Sequence, residues 1–313
     1  MDDLNTLQTL FSKKIRDIRI LGELYKGRAN HVWCVAFEDD SELIVREPKP
    51  LTKESEFSFG VQAIFGVEMK LIFDRMEQLN KKLKQTNSFQ IPSVIDRKKK
   101  GDRHFIVMEK IEGVQVDTFI DRSPSFLKDY GRKLSKLHQS RFSFFGTVNE
   151  EKRDALEEFH PTLVHVAEQL ISRFYSDNQE IKDYLPIFKE KMTKLPAPDT
   201  AGYILIDIDP TQYIEKNDVI SGLVDTECFA VGPCEFDFIA LEYLVTEREA
   251  ALIRKGYEEI SELPSQLDEM RECYRFISLI LDIHGTWDIN EWMKHPMWFS
   301  SNGRGEDTCG QIV

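Results

Sequence analysis

What this chain lacks narrows its class before any motif is read. No C-x-x-C pair occurs, and the five cysteines (Cys34, Cys228, Cys234, Cys273, Cys309) are an odd number. A redox dithiol and a full disulfide framework are therefore not expected; reduced thiols in a cytosolic protein are. No histidine lies near Cys228 and Cys234 in sequence, which removes the usual zinc spacing. No apolar run approaches the ~18 residues of a membrane span. The opening MDDLNTLQTLFSKK has neither the basic region nor the apolar core of a secretory signal. The expectation is a cytoplasmic protein without a membrane partner. Positive charge is in short supply: 41 Lys and Arg stand against 54 Asp and Glu, a net charge of −13. That argues against a nucleic-acid partner and suits small neutral or cationic ligands. Internal repeats are missing too. The 313 residues, 41% hydrophobic and 30% charged, are long enough for two domains or one large one with an ordinary core.

What is present is organised around Tyr203–Glu242. An apolar run, Tyr203 to Ile206, stops on Asp207, Asp209 and Pro210. A polar turn (Glu215, Lys216, Asn217, Asp218) precedes a second apolar run, Val219 to Val224, which stops on Asp225 and Glu227. Two apolar strands thus each deliver carboxylates at their C-terminal ends. Burying an unpaired carboxylate is costly, so such groups usually meet a metal, a proton or a base. The economical reading is one polar site holding Asp207 and Asp225 together around a divalent cation. Two ordinary strand-end turns are the alternative. The two runs are expected side by side as a hairpin, with Asp207 to Gln212 irregular and bent by Pro210.

Elsewhere, Leu7 to Arg16 reads as a short helix, and Ile18 to Arg46 as three strands with turns at 26–30 and 38–42. The loop Tyr25–Asn30 carries only Gly27, a weak phosphate-loop signal beside a plain hairpin. Arg46 ends the apolar strand Leu43-Ile44-Val45. Val61 to Leu79 shows helical spacing that puts Glu68 on the apolar face, four residues from both Ile64 and Ile72. A carboxylate there wants a cation, and Arg46 is the candidate; a solvated edge position is the alternative. The basic run Asp96–Arg103 reads as an exposed hairpin turn. Met108 to Gly113 ends a strand and begins a linker, where mostly strands give way to mostly helices. The expected division is 1–110, 111–300 and a flexible polar tail, 301–313. In the second part helices are expected over 126–138, over 156–188 with breaks at Pro161 and Pro186, over 238–260 and over 266–284. His138, at a helix C-terminus, reads as structural. The aromatic stretch Trp287 to Phe299 reads as a packed helix rather than a ligand cage.

The order of these pieces resembles the aminoglycoside phosphotransferase and choline kinase-like family, which has a protein-kinase-like fold. The resemblance covers about residues 15 to 285. Its pieces are Asn30-His31-Val32, Glu68, Ile91-Pro92, Val107-Met108-Glu109 through Gly113, Leu137-His138 and Phe145-Gly146. The most specific is Gly222-Leu223-Val224-Asp225-Thr226-Glu227, followed by Gly232-Pro233 and Asp237. The family's catalytic loop reads His-Gly-Asp-x-x-x-x-Asn; here Leu205-Ile206-Asp207 and Gln212 stand in those places, and Arg46 stands where the family has Lys.

The resemblance implies an α+β fold of two lobes, a small antiparallel-sheet N-lobe and a larger, mainly helical C-lobe. It implies transfer of the γ-phosphoryl group of ATP or GTP, with Mg2+, to a hydroxyl of a small molecule, cationic amines and amino-sugars included. Asp207 would be catalytic. Gln212 and Asp225 would hold the metal. Arg46, set by Glu68, would grip phosphate. Asn30 in the nucleotide loop and Met108, Glu109 and Ile111 at the hinge would complete the nucleotide site. Asp237 would anchor the lower lobe. Glu157, Glu158 and Asp282 are candidates for a cationic acceptor and are equally read as a solvated face. A kinase-like protein that binds nucleotide or a partner without efficient transfer is the rival, favoured by Leu205 and Gln212. A haloacid-dehalogenase-type reading of Asp207-Ile208-Asp209-Pro210-Thr211 requires a downstream Lys, a later acidic pair at a strand end and the motif at the start of an α/β core; only about a hundred residues follow, mostly helical in pattern, with no Asp-Asp strand end.

Overall fold

A computed structural model describes residues 2–21, 30–50, 53–69 and 71–301. Five strands, β1 (Ile15–Ile20), β2 (Asn30–Phe37), β3 (Glu42–Pro48), β4 (Val94–Lys100) and β5 (Arg103–Glu109), form an antiparallel sheet of order β1-β2-β3-β5-β4. Side chains alternate across a strand. Val45, Phe105 and Val107 therefore bury on one face with Trp33, Val35 and Phe37. Ile44, Ile106 and Met108 fall on the other, joined to the large core of the helical region. Arg46 follows Val45 and so shares the second face, paired across to Ile106. The basic hairpin is mostly strand: Lys100 pairs with Arg103, leaving Gly101 and Asp102 as the turn.

The expected opening helix is shorter and earlier, α1 (Asp2–Gln8), because Ile15 is buried in β1 and Leu10 and Phe11 pack under the sheet. The single helix expected over 61–79 is two, α2 (Glu56–Phe65) and α3 (Ile72–Lys84). Gly66 ends α2 in the left-handed region at φ 77°, its N–H donating to the Gln62 carbonyl. Lys152 Nζ caps the same end, 3.1 Å from the Ala63 carbonyl and 2.6 Å from that of Ile64. Glu68 lies in the connection between the two helices, not on a helical apolar face.

The second region supplies β6 (Val114–Gln115), α4 (Pro124–His138), β7 (Phe144–Thr147), β8 (Arg153–Ala155), α5 (Phe159–Phe174) and α6 (Gln179–Met192). It continues with β9 (Gly202–Ile204), β10 (Tyr213–Lys216), β11 (Val219–Leu223), β12 (Ala230–Gly232), α7 (Glu235–Leu241), α8 (Glu247–Glu258), α9 (Leu267–Ile280) and α10 (Ile289–Met293). Its short strands make two sheets, β11-β10-β6 and β8-β7-β12-β9. Every pairing among the described strands is antiparallel, so no parallel doubly wound sheet occurs among them. Helices α4 and α8 cross closely through Gly131 and Gly256. A Cβ on Gly131 would sit 2.0 Å from the Ile253 carbonyl oxygen, and one on Gly256 2.1 Å from that of Lys128.

Neither proline breaks a helix as expected. Pro161 sits in the first turn of α5, where no N–H is needed, and Pro186 is carried inside α6. The break falls instead at 175–178, where the Asn178 side chain accepts the Ile181 N–H at 3.1 Å. The pattern 238–260 divides at Val245, and Thr246 with Glu249 forms a capping box that starts α8. Trp292 of α10 stacks on Tyr243 with ring centroids 3.7 Å apart, the packing role expected of this aromatic stretch. The expected flexible tail lies, apart from Ser301, outside the described residues.

Candidate active site

The two carboxylate-bearing strands are not partners. β9, which leads to Asp207, pairs with β12, whereas β11, which leads to Asp225, pairs with β10. The expected hairpin of the two apolar runs is corrected accordingly. What joins their ends is Gln212, whose backbone carbonyl accepts the Val224 N–H at 2.8 Å while its side-chain Nε2 donates to the Asp207 carbonyl at 2.6 Å.

The segment after β9 is held from below. The Leu205 N–H donates to both oxygens of the fully buried Asp237, at 3.0 and 3.1 Å. His138 Nε2 lies 3.1 Å from Asp237 Oδ2, and its Nδ1 lies 3.2 Å from the Tyr257 hydroxyl. Leu205 thus gives the site a backbone donor, and the histidine backing the loop is His138 of α4. Ile206 follows at φ 60° and is buried. This left-handed conformation is one that glycine adopts freely and a β-branched residue rarely does. It accounts for the glycine of the family pattern at this place. Beyond Asp207 the chain is irregular until a single 3-10 turn, Pro210–Gln212, which Asp209 caps by accepting the Thr211 N–H at 2.7 Å.

Gln212 is buried, and its amide oxygen accepts the Asp209 N–H at 3.4 Å. Both ends of the amide are spent inside the loop, which the extra methylene relative to asparagine allows.

Beyond β11 the segment Val224–Glu227 carries the second carboxylates. Thr226 ties it to α3 through a 2.6 Å bond to Asn80 Oδ1, and the Asn80 amide in turn donates to the Pro92 carbonyl at 3.0 Å. Asp225 keeps a half-exposed side chain, with Oδ1 3.5 Å from Arg46 Nη2. Glu227 is buried and pairs directly with Arg46 Nη2. Arg46 Nη1 donates to the Val224 carbonyl at 3.3 Å. Asn30 Nδ2, at the start of β2, donates to Glu227 Oε1 at 3.1 Å. The expected partner, Glu68, makes no ion pair with Arg46 in this structure; it lines a cavity of about 40 Å³ together with Arg75, Asn149, Glu227 and Phe229. The loop between Ile20 and Asn30, read as a possible nucleotide loop, lies for residues 22–29 outside the described residues.

At the hinge, the Glu109 N–H donates to the Ser93 carbonyl at 2.9 Å, and its carboxylate accepts the Ser93 N–H and hydroxyl at 3.2 and 3.1 Å. Met108 and Ile111 are buried. Ile111 lies so close under Gly222 that a Cβ there would come within 2.5 Å of its Cδ1. Of the acidic residues noted for an acceptor, Asp282 is half-buried and its carboxyl is pushed up by burial and by Glu56. Glu157 and Glu158 are exposed beside α5.

The electrostatics are those of crowded negative charge. Burial, then Asp225 and Asp209, push the Asp207 carboxyl up to about 7. Burial works against the Arg46 charge, but Glu227 and Asp225 outweigh it and hold the guanidinium above its usual value. Burial, then Asp207, Asp225 and Glu227, raise the Cys228 thiol. A divalent cation would relieve this repulsion. Among the described residues no group of three or more His, Cys, Asp or Glu suits an ion. Mg2+ does not require one, since it usually takes one or two carboxylates and completes its shell with water and substrate phosphates. Half-exposed Asp225 fits that part.

Three features escaped the sequence reading: Glu227 as the partner of Arg46, the bond from Asn30 to Glu227, and the support of Leu205 by His138 through Asp237. The first had a signal, because alternation along an extended segment puts residues 225 and 227 on one side.

No protein-family model matches the chain, and no curated protein matches it. Solved structures do. An ADP-bound aminoglycoside phosphotransferase, APH(2'')-Ib, aligns over 96% of this chain and 99% of its own, with TM-score 0.61 and 15% identity. The macrolide 2'-phosphotransferase MphH from Brachybacterium faecium aligns over 88% and 90%, with TM-score 0.55 and 12% identity. The amicoumacin kinase hAmiN, in complex with AMP-PNP, Ca2+ and Ami, aligns over 92% and 87%, with TM-score 0.55 and 14% identity. An antiparallel-sheet lobe, a helical lobe and carboxylate-bearing loops between them are therefore the fold of the aminoglycoside phosphotransferases, a protein-kinase-like fold that this chain shares.

Proposed function

We propose that this protein transfers the γ-phosphoryl group of ATP or GTP to a hydroxyl of a small-molecule acceptor. The observation that carries the reading is the gathering of Asp207, Asp225 and Arg46 around one bridge, Gln212 and Val224. In such a transfer, positioning and charge neutralisation supply most of the rate. Asp207 accepts the acceptor's proton as its oxygen bonds to phosphorus and the bond from phosphorus to the leaving oxygen breaks. A carboxyl pushed up to about 7 is poised for that role near neutrality. Arg46 offers its planar fork to the nucleotide phosphates. Met108, Glu109 and Ile111 border the purine, and Asn30 lies beside the phosphates. Asp225, with Gln212 if its amide turns outward, would hold Mg2+, which when bound neutralises the phosphate charge. The lobes divide near Lys110, with nucleotide residues in 1–110 and the acceptor site in 111–300. The expected reduced thiols support the cytosol as its compartment, and among the described residues no helix is long and apolar enough to cross a membrane.

A second reading, a kinase-like protein that binds nucleotide and transfers phosphate poorly, is favoured by one observation: both ends of the Gln212 amide are already bonded within the loop. Calorimetry with ATP and GTP, with and without Mg2+, and turnover over amine, amino-sugar and alcohol acceptors separate the two. Asp207→Asn is expected to lower turnover far more than nucleotide affinity, and Asp225→Asn to weaken Mg2+-dependent binding as well. Nucleotide binding without turnover on any acceptor selects the second reading, and no nucleotide binding at all ends the phosphotransferase reading.

A further inference from the structure

We propose that Glu227, and not Glu68, is the carboxylate that fixes Arg46 for nucleotide phosphate, and that it does so while tying the start of β2 to the loop that carries Asp225. This deepens the phosphotransferase reading and rests on it.

Arg46 and Glu227 are each 95% or more buried as whole side chains and backbone, at 5% residual exposure. A guanidinium withdrawn so far from water requires a partner withdrawn with it. Asp225 is the weaker partner, since its side chain is 50% exposed and its nearest oxygen lies at 3.5 Å. The division of labour follows. Glu227 holds the cation, and Asp225 remains at the solvent side, where an incoming cation can draw it away without releasing Arg46.

The guanidinium is pinned twice on one segment, by the Val224 carbonyl and by Glu227. Two-point attachment sets the plane of the fork as well as its place. Glu227 Oε1 also receives Asn30 Nδ2, so one oxygen gathers the first residue of β2, the cation of β3 and the segment after β11. Glu68 shares only the wall of the small cavity with Glu227. Its place in the connection after Gly66, rather than on a helix facing β3, keeps it from the role that helical spacing had suggested.

The test is a double-mutant cycle on Mg2+-nucleotide binding, measured by calorimetry on the full chain with Arg46→Ala, Glu227→Gln and the pair. Thermal unfolding checks that each variant is folded. Contacting residues in one ion-pair network couple strongly, so Glu227→Gln is expected to weaken binding about tenfold or more in the native background and less than about twofold once Arg46 is alanine. Glu68→Gln is expected to change binding less than about threefold. A purely structural role for Glu227 would give equal losses in both backgrounds, and that result overturns the proposal. So does a Glu68→Gln loss as large as that of Glu227→Gln. Should Glu227→Gln not fold, Asn30→Ala serves: it frees one bond to the same oxygen and is expected to weaken binding measurably only while Arg46 is present, and equal effects in both backgrounds count against the proposal. Absence of nucleotide binding in the unmodified protein sinks the phosphotransferase reading itself, a result distinct from native binding that Glu227→Gln leaves unchanged.

Discussion

Ile206 holds a buried β-branched side chain on a backbone at φ 60°. The left-handed region costs a non-glycine residue roughly 1–2 kcal/mol, while losing a buried isoleucine costs about 2–5 kcal/mol. Packing outweighs strain, so Ile206→Gly is expected to destabilise in spite of relaxing the backbone. Ile206→Ala loses the same packing and keeps the strain. The expected order of stability is therefore Ile, then Gly, then Ala, with alanine below glycine by roughly 1 kcal/mol. Urea midpoints of the three proteins check this, and an alanine variant more stable than glycine would refute the strain. Asp207, the next residue, carries a pH signature. Its carboxyl titrates near 3.8 when free and is pushed up to about 7 in the fold. The folded state therefore binds the proton more tightly. This contribution to stability is complete below about pH 4 and fades as pH rises through about 7. Asp207→Asn cannot titrate, so it should gain stability relative to the native chain as pH goes from about 4 to about 8. A constant difference between the two unfolding curves across that range would falsify the raised carboxyl.

Among the elements, α7 and α9 are locked by a buried ion network. Glu242, fully buried just after α7, lies 2.7 Å from Arg275 Nη2 and 3.4 Å from Arg271 Nε. It also accepts the N–H groups of Trp298 and Phe299 at 3.0 and 3.2 Å. Glu242→Gln removes the carboxylate paired with buried Arg275, leaves Arg271 with the Asp268 carboxylate alone, and is expected to cost about 3–5 kcal/mol in denaturant unfolding; a loss under about 1 kcal/mol would show that water reaches the network. The hairpins of the first sheet were legible because each strand alternates and ends on turn residues. The α2–α3 division was not, because Ile64, Phe65 and Ile72 keep a helical phase across Gly66, while the left-handed turn there is set by what each helix packs against. Pro186 misled in the opposite direction: a proline signals a break only where the lost N–H matters, and α6 accommodates it.

At the scale of the whole molecule, the order of strands, hinge and carboxylates carried the fold, and the two strand-ending aspartates pointed to the candidate site. Beyond the alternation that puts residues 225 and 227 on one side, the sequence did not say which cation meets which carboxylate. Asn30 and Glu227 are 197 positions apart and His138 and Asp237 are 99 apart, and no local pattern encodes such pairs. Local spacing gave Arg46 the nearer Glu68, and tertiary packing gave it Glu227 instead.

Helix α2 belongs by sequence to the strand-rich part, yet it packs below. Phe65 meets Phe159 and Phe236, Phe59 meets Phe174, and Glu54 pairs with Arg173 at 2.6 Å. Among the described elements the chain therefore passes between the sheet and the helical body three times: between β3 and α2, between α2 and α3, and after β5. A body joined by one ribbon can swing open like a lid. One stitched at three points, with a helix of its own buried in the opposite half, has that rotation blocked and retains chiefly small sliding displacements. Guests would then enter and leave along the seam, at a pace governed by side chains stepping aside rather than by the halves parting.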